Sequence, residues 1–169
     1  MEEQVTGRQI GIKYGVIFGL ISTLYTLAMA MARIQLPFVG MFIQWAIVIG
    51  VFVFACKEYK ANNGNIMSFG KGFGLIMVAS LIGGLIRSVA SYVYFIVDPA
   101  YLDFMKEAQQ SSPFGPPPDQ GNAAGMEGVM SFVTSPEFLA IMSFVMAIFA
   151  GLIFGLIVSA IMKNEEDEF

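Results

Sequence analysis

The stretch Phe73–Val97 reads FGLIMVASLIGGLIRSVASYVYFIV and contains one charged residue, Arg87. A helix of this length measures about 38 Å, which exceeds the roughly 30 Å hydrocarbon core of a bilayer. A charged side chain near the middle of that core is unfavourable by about 2.5–3.5 kcal/mol on insertion scales. The stretch therefore predicts a membrane-spanning helix with one exceptional position.

Three further apolar blocks of similar length accompany this stretch. The 169 residues of the chain are 56% hydrophobic and 13% charged, whereas a typical soluble domain is about 25% charged. The polar segments that remain are too short to form a separate soluble core. We therefore predict one all-α domain over residues 1–169, an integral membrane four-helix bundle. Its spanning helices are expected at about 14–32, 38–56, 73–97 and 138–162, with an outer loop at 98–137 and a tail at 163–169.

The outer loop carries helix signals of its own. Asp98 and Pro99 suit the cap and the first turn of a helix, and the apolar residues of 99–110 fall on one side of that helix. This pattern predicts a short amphipathic helix that lies on the membrane surface or on the bundle. The proline- and glycine-rich segment that follows, up to Gly125, predicts a flexible link. The spacing of apolar residues in 126–133 predicts a second short helix.

Basic residues near the ends of the blocks predict the orientation in the membrane. One side of the predicted bundle carries six of them: Arg8, Lys13, Lys57, Lys60, Lys71 and Lys163. The other side carries only Arg33 and Lys106. Because cytoplasmic loops hold the excess of basic residues, we expect the N- and C-termini in the cytoplasm. The N-terminal residues lack a cleavable signal pattern, so the first block is expected to remain as an anchor.

Small residues recur every four positions in two of the blocks. The fourth block carries Ala147, Gly151, Gly155 and Ser159, and the first carries Gly15, Gly19 and Thr23. Small side chains at this interval let two helix backbones approach closely, which is how helices associate in lipid. We expect helix contacts, either inside the bundle or between two copies of the chain, at Gly84, Gly151, Gly155 and Ser159.

A helical wheel of the third block separates a polar face from an aliphatic face. Arg87 shares its face with small and polar residues: Ser80, Gly83, Gly84, Ser88, Ser91 and Tyr94. The opposite face is aliphatic: Leu75, Val78, Ile82, Leu85, Val89, Val93 and Ile96. We expect the aliphatic face to contact lipid and Arg87 to point into the bundle.

The surroundings predicted for Arg87 are neutral. No Asp or Glu occurs within the other apolar blocks, so hydroxyl and amide groups would have to solvate the guanidinium. The first two blocks offer Ser22, Thr23, Tyr25, Thr26 and Gln44. Ionisable residues inside membranes are rare and usually functional. The predicted contact set for an anion or a partner is Arg87, Ser91, Gln44 and Thr26.

From Lys57 onward the chain resembles a known family, and the first block resembles it by position only. Two stretches carry most of the resemblance: NGNIMSFGKGF at Asn63–Phe73 and VDPAYLDFMKEAQ at Val97–Gln109. They resemble domain of unknown function family 4199, which consists of small four-helix bacterial inner-membrane proteins. The resemblance implies that fold and that location, and it implies no catalytic residues because the family has no established activity. Family members often carry a charged outer helical segment where this chain has FGPPPDQGNAAG, so a long outer hairpin is not expected.

The chain offers no constellation typical of catalysis or metal binding. It contains no histidine and a single cysteine, Cys56, so zinc, haem and iron–sulfur ligation are unsupported. No catalytic residue, cofactor or metal site is predicted, and the chain is not expected to be an enzyme.

The predicted function is that of a structural or accessory membrane subunit that acts through helix packing. Its expected partners are membrane lipids, a second copy of the chain or another membrane protein, and no nucleic acid. The alternative is a small oligomeric transporter, or a lipid- or anion-binding membrane protein, that uses Arg87. Arginine suits that alternative because its planar guanidinium matches phosphate and carboxylate groups.

Overall fold

The computed structural model describes residues 6–34, 37–110 and 124–164, and every named element in these ranges is a helix. Four are long: α1 (Gly7–Met31), α2 (Pro37–Ala61), α3 (Phe69–Val97) and α6 (Pro136–Met162). Two are short: α4 (Pro99–Gln110) and α5 (Ala124–Val133). The long helices are long and apolar enough to cross a membrane, so the predicted all-α membrane bundle is confirmed. The link predicted before α5 and most of the tail predicted after α6 lie outside the described residues.

Helix ends follow local capping chemistry. α1 starts before its apolar block because Thr6 and Gln9 form a capping box. The Thr6 hydroxyl oxygen accepts a hydrogen bond from the Gln9 backbone N–H at 3.4 Å, and Gln9 Oε1 accepts one from the Thr6 N–H at 2.9 Å. Together these bonds satisfy two backbone donors that the first turn leaves free. α4 begins at Pro99, directly after Asp98, as the sequence signal predicts.

α3 lies between α1 and α6 and contacts all three other long helices. α1 runs parallel to α3, and a Cβ atom added to Gly15 of α1 would lie 2.8 Å from the Ile82 Cβ atom of α3. α6 runs antiparallel to α3, and a Cβ atom added to Gly84 of α3 would lie 2.8 Å from the Ala147 Cβ atom of α6. Such approaches are the ones that small residues permit between helices in lipid. α2 completes the bundle by contacting α1 and α6 as well as α3.

The aliphatic face of α3 is lipid-facing only in part. Leu75 is 2% exposed, and the Val78 and Ile82 side chains lie against Gly11 and Gly15 of α1. The expectation that this face contacts lipid is therefore wrong for the first half of α3. The reason is that the glycines let the α1 backbone cover these side chains. The residues of the second half are exposed as predicted: Leu85, Val89, Val93 and Ile96.

The bundle interior divides into two halves of different chemistry. The half near the α2–α3 loop, here called the apolar half, holds a fully buried hydrophobic cluster that includes Phe18, Phe52, Cys56, Ile76 and Val158. The half toward α4, here called the polar half, is defined by Ser22, Gln44, Arg87, Ser91 and Ser143. Among the described residues, the buried members of the cluster that belong to α1 end at Phe18, and those that belong to α2 begin at Val48. Large apolar side chains therefore pack one half, and the other half holds the candidate site.

Candidate functional site

Arg87 lies in the polar half at the level of Ser22 on α1. Gly19 of α1 packs against Gly83 of α3, since a Cβ atom added to Gly19 would lie 3.1 Å from the Gly83 Cα atom. Because the two helices are parallel, about one further turn brings α1 to Ser22 and α3 to Arg87. The first hydroxyl group of α1 beyond its glycines therefore lies at the depth of the guanidinium.

α6 brings Ser143 to the same level. Gly84 of α3 packs against Ala147 of α6, and the Ser88 hydroxyl donates a hydrogen bond of 2.8 Å to the Ala140 carbonyl oxygen. Because the helices are antiparallel, Arg87 lies level with the residues between those two contacts, and Ser143 is one of them. The Ser143 hydroxyl oxygen is buried and has no hydrogen-bond partner among the described residues.

α2 contributes Gln44. Its Nε2 atom donates a hydrogen bond of 3.1 Å to the Ser22 hydroxyl oxygen. Nearby, the Tyr25 hydroxyl of α1 donates one of 3.2 Å to the Gly40 carbonyl oxygen of α2. These bonds join α1 to α2 beside Arg87, so three helices bring neutral polar groups to the level of one charge.

The Arg87 guanidinium has no anionic partner in the part of the chain that the structure describes. The residue is half-buried, and its Nε atom is fully buried without a hydrogen-bond partner. The acidic side chains of the four long helices, Glu58 and Glu137, lie in terminal turns of α2 and α6. Arginine stays protonated in proteins. The polar half therefore contains an uncompensated positive charge.

The other predicted contact residues lie in the same half of the bundle. Ser91 is 9% exposed and lies one turn beyond Arg87 on the same face of α3. Thr26 is half-buried and lies one turn beyond Ser22 on α1. The donors of this half suit the binding of an oxyanion, because charge-assisted hydrogen bonds from arginine to phosphate or carboxylate are strong and directional.

The four small residues expected at helix contacts all lie between α3 and α6. The pairs are Gly151 with Ser80, Gly155 with Ile76, Ser159 with Gly72, and Gly84 with Ala147. The small face of α6 is therefore covered by α3 of the same chain, and a contact between two copies would use other faces.

Metal ligands do not converge in the part of the chain that the structure describes. Within residues 6–34, 37–110 and 124–164, no three histidine, cysteine, aspartate or glutamate side chains are grouped so that they could hold a metal ion. Cys56 is buried in the apolar half, away from the polar groups.

A second polar cluster, which the sequence did not predict, lies at the α4 end of the bundle. Arg33 Nη2 donates hydrogen bonds of 2.9 and 2.8 Å to the two carboxylate oxygens of Asp98, and the Tyr94 hydroxyl donates one of 2.9 Å to Asp98 Oδ2. The Arg33 guanidinium carbon also lies 5.3 Å from the centre of the Tyr101 ring, within cation–π range. The cluster ties the turn after α1 to the start of α4. The sequence does carry a signal for this cluster. Arg33 follows α1 and Asp98 follows α3, and these two parallel helices end at the same side of the bundle.

The ion pair sets the electrostatics of this cluster. The hydrogen bond from Arg33 lowers the pKa of Asp98 below its usual value, and this effect outweighs the opposing effect of desolvation. Burial raises the pKa of Tyr101, although the Arg33 charge acts in the opposite direction. Asp98 is therefore ionised and Tyr101 neutral at pH 7, which preserves the contacts of Arg33 with both.

Replacing Asp98 with asparagine is expected to remove an acid-sensitive part of the stability. A carboxylate with a lowered pKa in the folded state stabilises the fold fully above the ordinary Asp pKa of about 3.9. That contribution is lost as the pH falls through the lowered pKa. Thermal unfolding in detergent, followed by circular dichroism in steps below about pH 6, should show a larger acid-dependent loss in the wild type than in Asp98→Asn, which still contains the Lys13–Glu58 ion pair.

The matched control is Asp103→Asn. The Asp103 side chain is 74% exposed and makes only a 3.4 Å contact with Lys106 three residues away. Such an exposed pair contributes little, so this variant should keep the acid-dependent loss of the wild type. An unchanged acid step in Asp98→Asn would show that the Arg33–Asp98 pair does not stabilise the fold.

Comparison with known protein families gives a match over residues 13–164 to the model of a family described as protein of unknown function (DUF4199). The matched region includes most of α1 and all of the other three long helices. No curated protein and no solved structure matches the chain. The family match bears on the fold, and the role of the polar half rests on its own geometry.

Proposed function

The chain belongs to the DUF4199 family, and we propose that this member is a non-catalytic accessory protein that works by binding. With its four long apolar helices it is a multi-pass membrane protein. The observation that carries the proposal is the guanidinium of Arg87, which has no ion-pair partner among the described residues and whose Nε atom is buried without a hydrogen bond. An acidic group from another molecule would supply the charge that the described residues lack.

The free-energy cost of the charge of Arg87 and the gain from hydrogen bonds to an external anion are similar in size. The isolated charge is unfavourable by about 2.5–3.5 kcal/mol at this depth. Each hydrogen bond to a charged group contributes about 1.5–3 kcal/mol. Two such bonds from Arg87 to one oxyanion would contribute about 3–6 kcal/mol, which is comparable with the whole cost, whereas no hydrogen bond joins Arg87 to the neutral groups of Ser22, Gln44 or Ser143 among the described residues.

We also propose that the protein lies in the bacterial inner membrane with the α2–α3 loop and both termini in the cytoplasm. The distribution of basic residues supports this orientation, and the resemblance to inner-membrane proteins supports the location. In a Cys56→Ala background, Asn63→Cys should resist an impermeant maleimide in intact cells, and Asp103→Cys should react with it. Reaction at position 63 from outside would overturn the orientation.

The binding role is tested by replacing Arg87 with leucine. Wild type and Arg87→Leu are purified in mild detergent, and the lipids and proteins that co-purify are identified by mass spectrometry. Leucine removes the charge and introduces an apolar side chain that lipid tolerates. The variant should therefore stay folded and lose a bound species. Arg8→Leu is the matched control, because Arg8 is exposed in the first turn of α1, and it should behave as the wild type. A folded Arg87→Leu that retains every bound species would refute the proposal.

The alternative function, a small oligomeric transporter, would use the same charge. It requires that the anion bound at Arg87 crosses the membrane. Anion uptake into proteoliposomes that disappears in Arg87→Leu would favour transport, and binding without uptake would favour the accessory role.

A further inference from the structure

We propose that the group bound by Arg87 is the oxyanion, phosphate or carboxylate, in the head group of an anionic lipid, and that it enters the bundle between α2 and α6. This inference rests on the proposed function and adds to it the chemical class of the ligand and the route of entry.

α2 covers the polar half less completely than the apolar half. On its inward face, Val51 and Ala55 of the second half are 8% and 0% exposed. Gly40 and Gln44 lie on the same face in the first half, yet both are only half-buried. The interior near Arg87 is therefore more accessible on the α2 side than the interior of the apolar half.

Arg87 lies on the side of α3 that faces α2. The neighbouring Ile86 lies against Gly19 of α1, and Ser88 on the other side bonds to Ala140 of α6. At about 100° per residue, Arg87 points midway between those two directions. α2 is the remaining long helix, and its Gln44 is hydrogen-bonded to Ser22 at the level of Arg87.

Among the described residues, the hydrogen bond that joins α2 to α6 comes from Lys60 at the far end of α2, so the route to Arg87 is placed at the edge of α2 that faces α6. The other edge is joined to α1 by the hydrogen bonds of Gln44 and Tyr25. Toward α6, the Trp45 ring meets the Phe154 ring edge-on at a centroid distance of 5.8 Å. On the α4 side of this aromatic pair, α6 carries Ser143 with its unpaired hydroxyl. A head group that passes the pair on that side would meet Ser143 and then Arg87.

The depth of Arg87 in the bundle and the apolar side chains along the route favour a lipid over a soluble anion. Arg87 precedes the end of α3 by about ten residues, or about 15 Å of helix. Its side chain leans toward the N-terminus of α3, away from the nearer surface. The side chains that this route would pass are apolar and exposed, with Phe42 at 60% and Trp45 at 41%. A free anion would be strongly disfavoured on such a route, whereas a lipid can leave its acyl chains in the bilayer while its head group reaches the guanidinium.

Trp45, the single tryptophan of the chain, provides the readout. The full-length protein is placed in phosphatidylcholine nanodiscs that contain a small fraction of brominated phosphatidylglycerol or of brominated phosphatidylcholine, because bromine quenches tryptophan on contact. We expect the anionic lipid to quench as if enriched about tenfold at Trp45. Arg87→Gln should abolish this preference. Lys57→Gln, which removes an exposed cation at the other end of α2, should keep it.

Further measurements distinguish a lipid phosphate, a lipid carboxylate and free inorganic phosphate as the source of the anion. Brominated oleic acid replaces phosphatidylglycerol in a parallel series, and a preference for either lipid that depends on Arg87 supports the inference and identifies the oxyanion. If Arg87→Gln does not fold, a competition experiment on the wild type takes the place of the variant. Relief of the quenching by unbrominated phosphatidylglycerol, but not by unbrominated phosphatidylcholine, then supports the inference. Equal quenching by charged and neutral lipids in the wild type overturns the inference. Binding of inorganic phosphate at Arg87 without any lipid preference also overturns it, yet leaves the binding role of Arg87 intact.

Discussion

Replacing Gly83 with alanine is expected to destabilise the fold by about 1–3 kcal/mol, the usual effect of overpacking. A Cβ atom at this position would meet the Phe18 ring and would lie 2.8 Å from the Gly15 carbonyl oxygen and 3.1 Å from the Gly19 backbone nitrogen. Backbone atoms cannot rotate aside as the end of a side chain can. The whole of α1 would have to move away from α3, and the contacts along its line of glycines would loosen together.

Gly74→Ala is the matched control on the same helix. A Cβ atom added there meets nothing within 4 Å, and alanine is the better helix former by roughly 0.8–1 kcal/mol. This variant should therefore unfold like the wild type or slightly later. Titration with SDS, followed by circular dichroism, gives the free energy of unfolding of each variant. Equal losses in the two variants would mean that α1 and α3 are not in close contact at Gly83.

The number of spans and the start of α4 could be predicted because they depend on local sequence. An uninterrupted apolar stretch such as Phe73–Val97 is long enough to specify a spanning helix by itself. The Asp98–Pro99 pair specifies a helix start within two residues. Neither inference requires knowledge of which helices are neighbours.

The contacts between helices could not be predicted in the same way. A wheel separates polar from aliphatic faces, but in lipid an aliphatic face packs on another helix as readily as on acyl chains. For that reason the wheel predicts the wrong surroundings for Leu75 and Val78. The Arg33–Asp98 pair joins residues 65 positions apart, so it depends on α1 and α3 being adjacent. At the candidate site, the inward direction of Arg87 follows from its own helix, whereas the presence of Ser143 at the same level depends on how α6 packs against α3.

The two halves of the interior lead to the second large expected effect. Phe52 is fully buried in the apolar half, and its ring centroid lies 5.8 Å from that of Phe18. Phe52→Ala should destabilise the fold by about 3 kcal/mol, the lower end of the range for such truncations. The lower end applies because a helix already inserted in lipid gains from packing rather than from leaving water. While it remains folded, this variant should keep the lipid preference of the wild type.

Ser143→Ala in the polar half should behave in the opposite way. It removes a buried hydroxyl that has no partner among the described residues, and losing an unsatisfied polar group is close to neutral or stabilising. The SDS titration should therefore show a free energy of unfolding within about 0.5 kcal/mol of the wild type, while the Trp45 quenching preference falls. If Ser143→Ala destabilised the bundle as much as Phe52→Ala, the polar half would be structural. Cohesion in lipid has to come from packed side chains, so the half that contains Phe52 can hold the bundle together while the half that contains Arg87 keeps its charge available for a ligand.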